Sequence, residues 1–316
     1  MLFRRCFSVI VCLALLSGCG LFNRTIPAGV IPDSTPRDHW VEIKGVRYHY
    51  TEYAGTGKTV VMLHGFGSST YTWEETAALL NKEGFHVYAL DLKGFGWSDK
   101  PLDSRYGVGA LMEDVDDWME KMQIRNAVVV GNSMGGAITV LLSRHHRDRV
   151  ERMVLIDAGG YPMKLPFVIR LARFPMASFS SKLFFGPWMI RSNLKQVMFD
   201  PSKVTDERVQ AYYSRMCSEN AVKTQILTAR SIDFSRLDLI QDATKNNKTK
   251  TLIIWGKNDT WIPLDTVGMR FREDLQNSVI SVIPDCGHIP QEERPVETAR
   301  LISDFINDRP IKDDRP

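Results

Sequence analysis

The chain has 316 residues, of which 44% are hydrophobic and 24% are charged. These are ordinary globular values, and they exclude a fibrous or wholly disordered chain. Forty Lys and Arg residues face 37 Asp and Glu residues, a net charge of +3 that is too even to indicate nucleic-acid binding.

The N-terminus has the pattern of an export signal. Two arginines precede an apolar run over residues 6–16, which is shorter than the roughly 20 residues that span a bilayer. The run ends in Leu16-Ser17-Gly18-Cys19, which resembles the bacterial lipobox and implies a lipid-anchored protein of the cell envelope. We therefore predict a signal peptide over 1–18 and a tether over 19–37 that starts at a lipidated Cys19. Gly20, in place of Asp, implies the outer membrane if the envelope is Gram-negative.

From residue 38 the hydrophobic pattern alternates between strands and helices, which predicts a mostly parallel sheet with helices on both faces. The sheet has roughly eight strands. In chain order the pattern predicts a hairpin over 41–53 turning at Lys44-Gly45, followed by strands over 59–63, 85–90, 127–130, 153–156, 251–255 and 279–283. It predicts helices over 71–83, 108–122, 134–145, 264–275 and 296–306.

The alternation stops between residues 160 and 247, a segment rich in Phe, Met, Leu and Trp. We interpret it as a helical cap inserted into a core over 38–159 and 248–310. Residues 161–199 include six basic residues and no acidic residue. We interpret these basic residues as solvated charges on a packed cap, with contact between this segment and lipid as the alternative. The predicted lining of the substrate pocket is Trp97, Phe184, Phe185 and Trp188.

The motif Gly131-Asn132-Ser133-Met134-Gly135 lies between a predicted strand and a predicted helix. Glycines two residues before and after the serine permit a tight turn, which exposes Ser133 at the sheet edge and aims the helix N-terminus at its oxygen. This context predicts Ser133 as a nucleophile. A serine at its ordinary pKa needs a neighbouring base.

Seven histidines are available, and His288 is the predicted base because it lies on a loop after the last predicted strand. The base needs a carboxylate to orient it, and Asp259 follows the preceding strand. Asp157, which follows the strand before that, is the alternative acid. The chain order Ser, Asp, His is typical of α/β-hydrolases.

From about residue 40 to 307 the chain resembles the α/β-hydrolase family. Besides the serine motif, the resemblance rests on His64-Gly65-Phe66-Gly67, on the segment 91–101, and on Gly287-His288 followed by Glu293-Arg294-Pro295. It implies the α/β-hydrolase fold, with an oxyanion hole formed by the backbone amides of Phe66 and Met134.

The resemblance also separates branches of the family. A serine at position 133 disfavours the branches that use an aspartate nucleophile. Hydrolases that cleave carbon–carbon bonds in ring-fission products share the serine motif, yet they usually carry proline and tryptophan where this chain has Ser68 and Ile289. The resemblance therefore implies a serine hydrolase of carboxylic esters, with carbon–carbon hydrolysis or a catalytically retired binding lipoprotein as alternatives.

The remaining sequence motifs do not indicate a further chemical function. The sequence has no HExxH, CxxC or acidic calcium loop, so we predict no metal site and no cofactor. The predicted partners are a small acyl ester and, through Cys19, the membrane. The oligomeric state is left open. Cys217 and Cys286 are interpreted as free thiols, with a disulfide as the alternative.

Overall fold

The computed structural model describes residues 25–32, 34–164, 166–174, 186–232 and 238–314. The predicted signal peptide, Cys19 and the predicted pocket residues Phe184 and Phe185 lie outside these residues.

In the described chain eight strands form one sheet, in the order β1-β2-β4-β3-β5-β6-β7-β8. β2 pairs antiparallel with β1 and β4, and every other neighbouring pair is parallel. The strands are β1 (Asp38–Ile43), β2 (Val46–Tyr53), β3 (Thr59–Leu63), β4 (His86–Leu90), β5 (Ala127–Asn132), β6 (Val150–Ile156), β7 (Lys250–Gly256) and β8 (Ser278–Ile283).

The described helices connect and cover these strands. They are α1 (Glu74–Lys82), α2 (Val108–Lys121), α3 (Met134–His145), α4 (Phe167–Ala172), α5 (Pro187–Val197), α6 (Asp206–Met216), α7 (Ala221–Ser231), α8 (Asp238–Lys245), α9 (Met269–Asp274), α10 (Pro290–Glu293) and α11 (Pro295–Ile306). The predicted α/β-hydrolase fold with a mostly parallel sheet is therefore confirmed.

The sheet is buried on both faces. On β5, Val129 packs into the core layer that contains Trp118, while its neighbour Val130 packs into the opposite layer with Trp73. Successive side chains of a strand point to opposite faces, so a central strand covered on both sides reads as a continuous apolar run. Helices α2 and α3 cover one face, and α1 and α11 pack together on the other.

Two helices differ from the prediction at their starts. The helix predicted over 71–83 begins as a 3₁₀ turn over Thr70–Trp73, and the one predicted over 264–275 begins as a π-helical turn over Leu264–Gly268. Strand β6 starts at Val150, three residues before the prediction, because pairing with β5 continues through Arg152 to Val150, with a register shift at exposed Glu151.

Between β6 and β7 the described residues form α4 to α8, which we refer to as the inserted segment. Part of the predicted tether lies against it: the Ile26 amide donates to the Cys217 carbonyl and the Glu219 amide donates to the Ile26 carbonyl, both at 3.0 Å. Cys217 and Cys286 are free thiols. Among the described helices, none is both long enough and apolar enough to cross a membrane.

Candidate active site

Ser133 occupies a sharp turn between β5 and α3. Its φ of 55° and ψ of −117° are strained for a residue with a side chain. The flanking glycines are required by close packing, because a Cβ atom on Gly131 would lie 2.3 Å from the Gly135 carbonyl oxygen and one on Gly135 would lie 2.1 Å from the Leu63 oxygen. The local sequence thus forms the strained elbow that the motif predicted.

Asn132 ties this elbow to two neighbouring loops. Its side-chain amide donates to the backbone carbonyls of Ile156 and His288, at 3.1 Å each. The side chain is 2% exposed, so its hydrogen bonds are shielded from water. Sequence reasoning assigned no role to this residue, and its only signal was its place beside the serine.

His288 and Asp259 form a buried pair above the strand ends. His288 Nδ1 lies 2.7 Å from Asp259 Oδ2. The other carboxylate oxygen, Oδ1, accepts the backbone amides of Trp261 and Ile262 at 2.7 and 3.0 Å. Because the Asp259 carboxylate accepts at this position, Nδ1 is assigned as the protonated ring nitrogen. His288 Nε2 is thereby left as the acceptor, and His288 lines the same cavity as Ser133.

Asp157, the alternative acid, lies beside this pair and is fully buried. Its Oδ1 accepts the Gly256 amide at 3.0 Å. One oxygen of Asp157, one of Asp259 and a ring nitrogen of His288 all lie within 4.8 Å of one another. Burial, reinforced by the charge of Asp259, raises the pKa of Asp157 well above its usual value. The structure places the histidine hydrogen bond on Asp259.

Phe66 and Met134, whose backbone amides are the predicted oxyanion donors, are both close to the serine: Phe66 lines the same cavity as Ser133, and Met134 follows it in sequence. Met134 is the first residue of α3, so its amide has no acceptor within the helix. In the described chain neither amide donates to a protein acceptor. The loop before Phe66 is held by buried His64, whose Nε2 accepts the Leu92 amide at 3.1 Å and whose Nδ1 lies 2.8 Å from the Gly65 carbonyl oxygen.

The cavity that contains Ser133 and His288 has a volume of about 120 Å³. One wall comes from α5 and is mostly apolar, and the lining also includes uncharged polar side chains. The lining is Gly65, Phe66, Gly67, Ser68, Asn132, Ser133, Met189, Ile190, Asn193, Leu194, Val197, Tyr212, Met216, Gln225, Trp261, His288 and Ile289.

Two predicted pocket residues lie elsewhere, which corrects the prediction. Trp188 is on α5 but points outward and is 57% exposed, whereas the next residue, Met189, lines the cavity. Trp97 is buried outside the cavity lining, with the Arg215 guanidinium 5.4 Å from its ring centroid. Aromatic composition alone did not show which helix face turns inward.

Glu293 joins the histidine loop to the inserted segment. Its carboxylate is fully buried and accepts the backbone amides of Phe199, Asp200 and Gly287, at 3.1, 2.7 and 2.7 Å. The His288 amide in turn donates to the Val197 carbonyl at 2.7 Å. The sequence showed Glu293 only as part of a family motif, because two of its three amide donors, Phe199 and Asp200, are 94 and 93 residues away.

Among the described residues, one group of side chains has ligand atoms close enough together to hold a metal ion: Asp157, Asp259 and His288. Asp259 and His288 already bind each other, and Asp157 has a raised pKa that favours its neutral form. This arrangement suits proton transfer rather than a metal ion.

Comparison with known proteins identifies the family. The sequence model for the alpha/beta hydrolase fold matches residues 58–183. The hydrolase YugF of Bacillus subtilis (strain 168) is 30% identical over 266 residues, which are 84% of this chain and 96% of that protein. The chain belongs to the α/β-hydrolase family. It is accordingly a hydrolase.

Two other similarities bear on its chemistry. The 2-hydroxy-6-oxononadienedioate/2-hydroxy-6-oxononatrienedioate hydrolase of Paraburkholderia xenovorans (strain LB400) is 31% identical over 280 residues, 83% of this chain and 91% of that protein. The crystal structure of a membrane phospholipase A, described as a bacterial virulence factor, superimposes with a TM-score of 0.70 at 27% identity and covers 86% of each chain.

Proposed function

We propose that this hydrolase cleaves neutral carboxylic esters through an acyl-enzyme. His288 Nε2 takes the proton of Ser133 as the hydroxyl attacks the ester carbonyl, and Asp259 stabilises the imidazolium. The amides of Phe66 and Met134 donate to the oxyanion of the tetrahedral intermediate. His288 then protonates the leaving alcohol, and water, deprotonated by His288, releases the acid and restores Ser133.

The observation that carries the ester assignment is the charge of the cavity. Apart from His288, its described lining has no ionisable cation, and its polar groups are neutral, including Ser68, Asn193 and Gln225. A buried carboxylate without a cationic partner is costly. Such a cavity therefore favours an uncharged acyl ester, whose chain the apolar wall of α5 can contact.

Carbon–carbon hydrolysis is the second candidate, and the similarity to a dienedioate hydrolase favours it. A dienedioate carries two carboxylates, which this function would have to accommodate. Arg215 is a described candidate for binding one, because it lines a small recess that shares Ser68, Tyr212 and Gln225 with the cavity. Its guanidinium, however, is stacked on the rings of Tyr71 and Trp97.

A substrate panel distinguishes the two candidates. We expect the full chain to hydrolyse p-nitrophenyl esters of graded chain length with kcat/KM at least a hundredfold above that for a ring-fission dienone carboxylate. Ser133→Ala serves as the background for both substrates. Faster turnover of the dienone would contradict the ester assignment and support the second candidate.

For location and organisation, we propose a lipid-anchored envelope enzyme in which the inserted segment acts as a substrate-selecting cap. The side chains of Phe167, Leu171 and Phe174 support a lipid-facing surface, since they are 66%, 51% and 67% exposed. Arg170 and Arg173 lie among them and are exposed as well. Exposed aromatic and basic residues on one short helix and the two residues after it suit an anionic lipid surface.

A further inference from the structure

The second buried carboxyl beside the histidine pair requires a physical explanation. Asp157 Oδ1 accepts an amide, but Oδ2 is buried and meets no N–H or hydroxyl donor in the described chain. Two adjacent ionised carboxylates in a site of low dielectric repel each other strongly, so such pairs hold one proton between them.

The hydrogen bonds show where that proton belongs. Asp259 accepts three N–H donors, and each of them would be weakened if Asp259 were neutral. Asp157 accepts one amide. Besides Asp259 and His288, whose ring nitrogen lies within 4.8 Å and is hydrogen-bonded to Asp259, the titratable groups that face Asp157 are Glu293, itself bound to three amides, and the buried thiol of Cys286. Neither supplies a positive charge that would ionise Asp157.

We propose that Asp157 is a positioning residue that stays protonated and donates a hydrogen bond to the Asp259 carboxylate. This neutral donor holds Asp259 against His288 and adds no second negative charge to the site. The inference rests on the proposed roles of Asp259 and His288. It adds a third residue to them, Asp157, whose carboxyl has to remain neutral. The backbone φ of Asp157 is 42°, a positive value that asparagine also adopts readily.

Infrared difference spectroscopy tests the proton directly. At pH 7 the wild type minus Asp157→Asn spectrum should contain the carbonyl band of a protonated carboxylic acid, which an ionised side chain does not give. This measurement does not depend on turnover, so it keeps its meaning if the ester assignment fails. A carboxylate band in its place would overturn the proposal.

Kinetics test the positioning role. Asp157→Asn retains a donor and should lose less than about tenfold in kcat, whereas Asp157→Ala removes it and should lose roughly 10- to 100-fold with KM little changed. The acid limb of the Asp157→Asn pH–rate profile should coincide with that of the wild type. A shift of that limb to lower pH would overturn the proposal, because it would mean that the wild-type side chain is ionised beside His288. Equal losses in the two variants would also overturn it.

Discussion

The strained turn between β5 and α3 fixes the direction of the Ser133 side chain, and we propose Ser133 as the nucleophile. We expect Ser133→Ala to lower ester turnover by about 10⁶-fold while the fold is retained, because the hydroxyl contributes little to packing. Turnover of p-nitrophenyl butyrate and the circular dichroism spectrum check both parts.

A fluorophosphonate probe provides the control. It should label the wild type and leave Ser133→Ala unlabelled. Labelling of both proteins would assign the nucleophile to another residue. An unlabelled wild type would favour the alternative of a retired binding protein, despite the pairing of His288 with Asp259.

Asp259 is expected to orient His288 through the 2.7 Å hydrogen bond to Nδ1. Asp259→Asn presents an amide that forces the other tautomer or breaks the bond, so kcat should fall by up to about 10⁴-fold. Asp157→Asn is the matched control, since it makes the same chemical change one strand away. A larger loss of kcat in Asp157→Asn than in Asp259→Asn would reverse the roles of the two residues.

At the scale of elements, α5 presents one face to the cavity and another to solvent. Met189→Trp should shift the ester preference toward shorter acyl chains by about tenfold or more in relative kcat/KM, because it fills space that the acyl chain would occupy. Trp188 is one residue earlier and exposed, so Trp188→Ala should have the same chain-length profile as the wild type. Superimposable profiles for Met189→Trp and the wild type would remove α5 from the acyl site.

Glu293 connects α10 with the loop that carries His288. Glu293→Ala leaves three backbone amides without their acceptor, and at about 1 to 3 kcal/mol for each unpaired group it should lower the free energy of unfolding by several kcal/mol. Urea titration measures this change. Glu113→Ala, at an exposed side chain paired with Arg105, is the control and should cost less than about 1 kcal/mol. Similar losses in both variants would contradict the anchoring role.

The sequence predicted the elements that depend on local patterns. The periodicity of residues 134–145 matched α3 at both ends, and the glycines around Ser133 revealed the elbow. It did not predict the contacts of Asn132 or Glu293, since their partners lie up to 156 positions away. Nor did it show that Trp188 points outward, because the inserted segment has apolar residues on more than one helix face.

At the scale of the molecule, we propose that a lipid anchor at Cys19 determines where the enzyme acts. We expect the wild type to carry lipid on Cys19, with at least two acyl chains, because burial of about 0.8 kcal/mol per CH₂ makes anchoring by one chain marginal. Mass spectrometry of the N-terminal peptide measures the modification. Cys19→Ala should fractionate away from membranes, and a wild type that retains Met1 and stays in the soluble fraction would contradict the anchor.

The buried carboxylate of Glu293 also limits modular engineering. Two of its amide donors, Phe199 and Asp200, belong to the inserted segment, while the third, Gly287, precedes the histidine. A chimaera that exchanges the whole segment for that of a relative would therefore disturb the base along with the pocket. A chimaera that retains residues 197–200 keeps these hydrogen bonds, so the rest of the segment can be exchanged without disturbing the loop that carries His288.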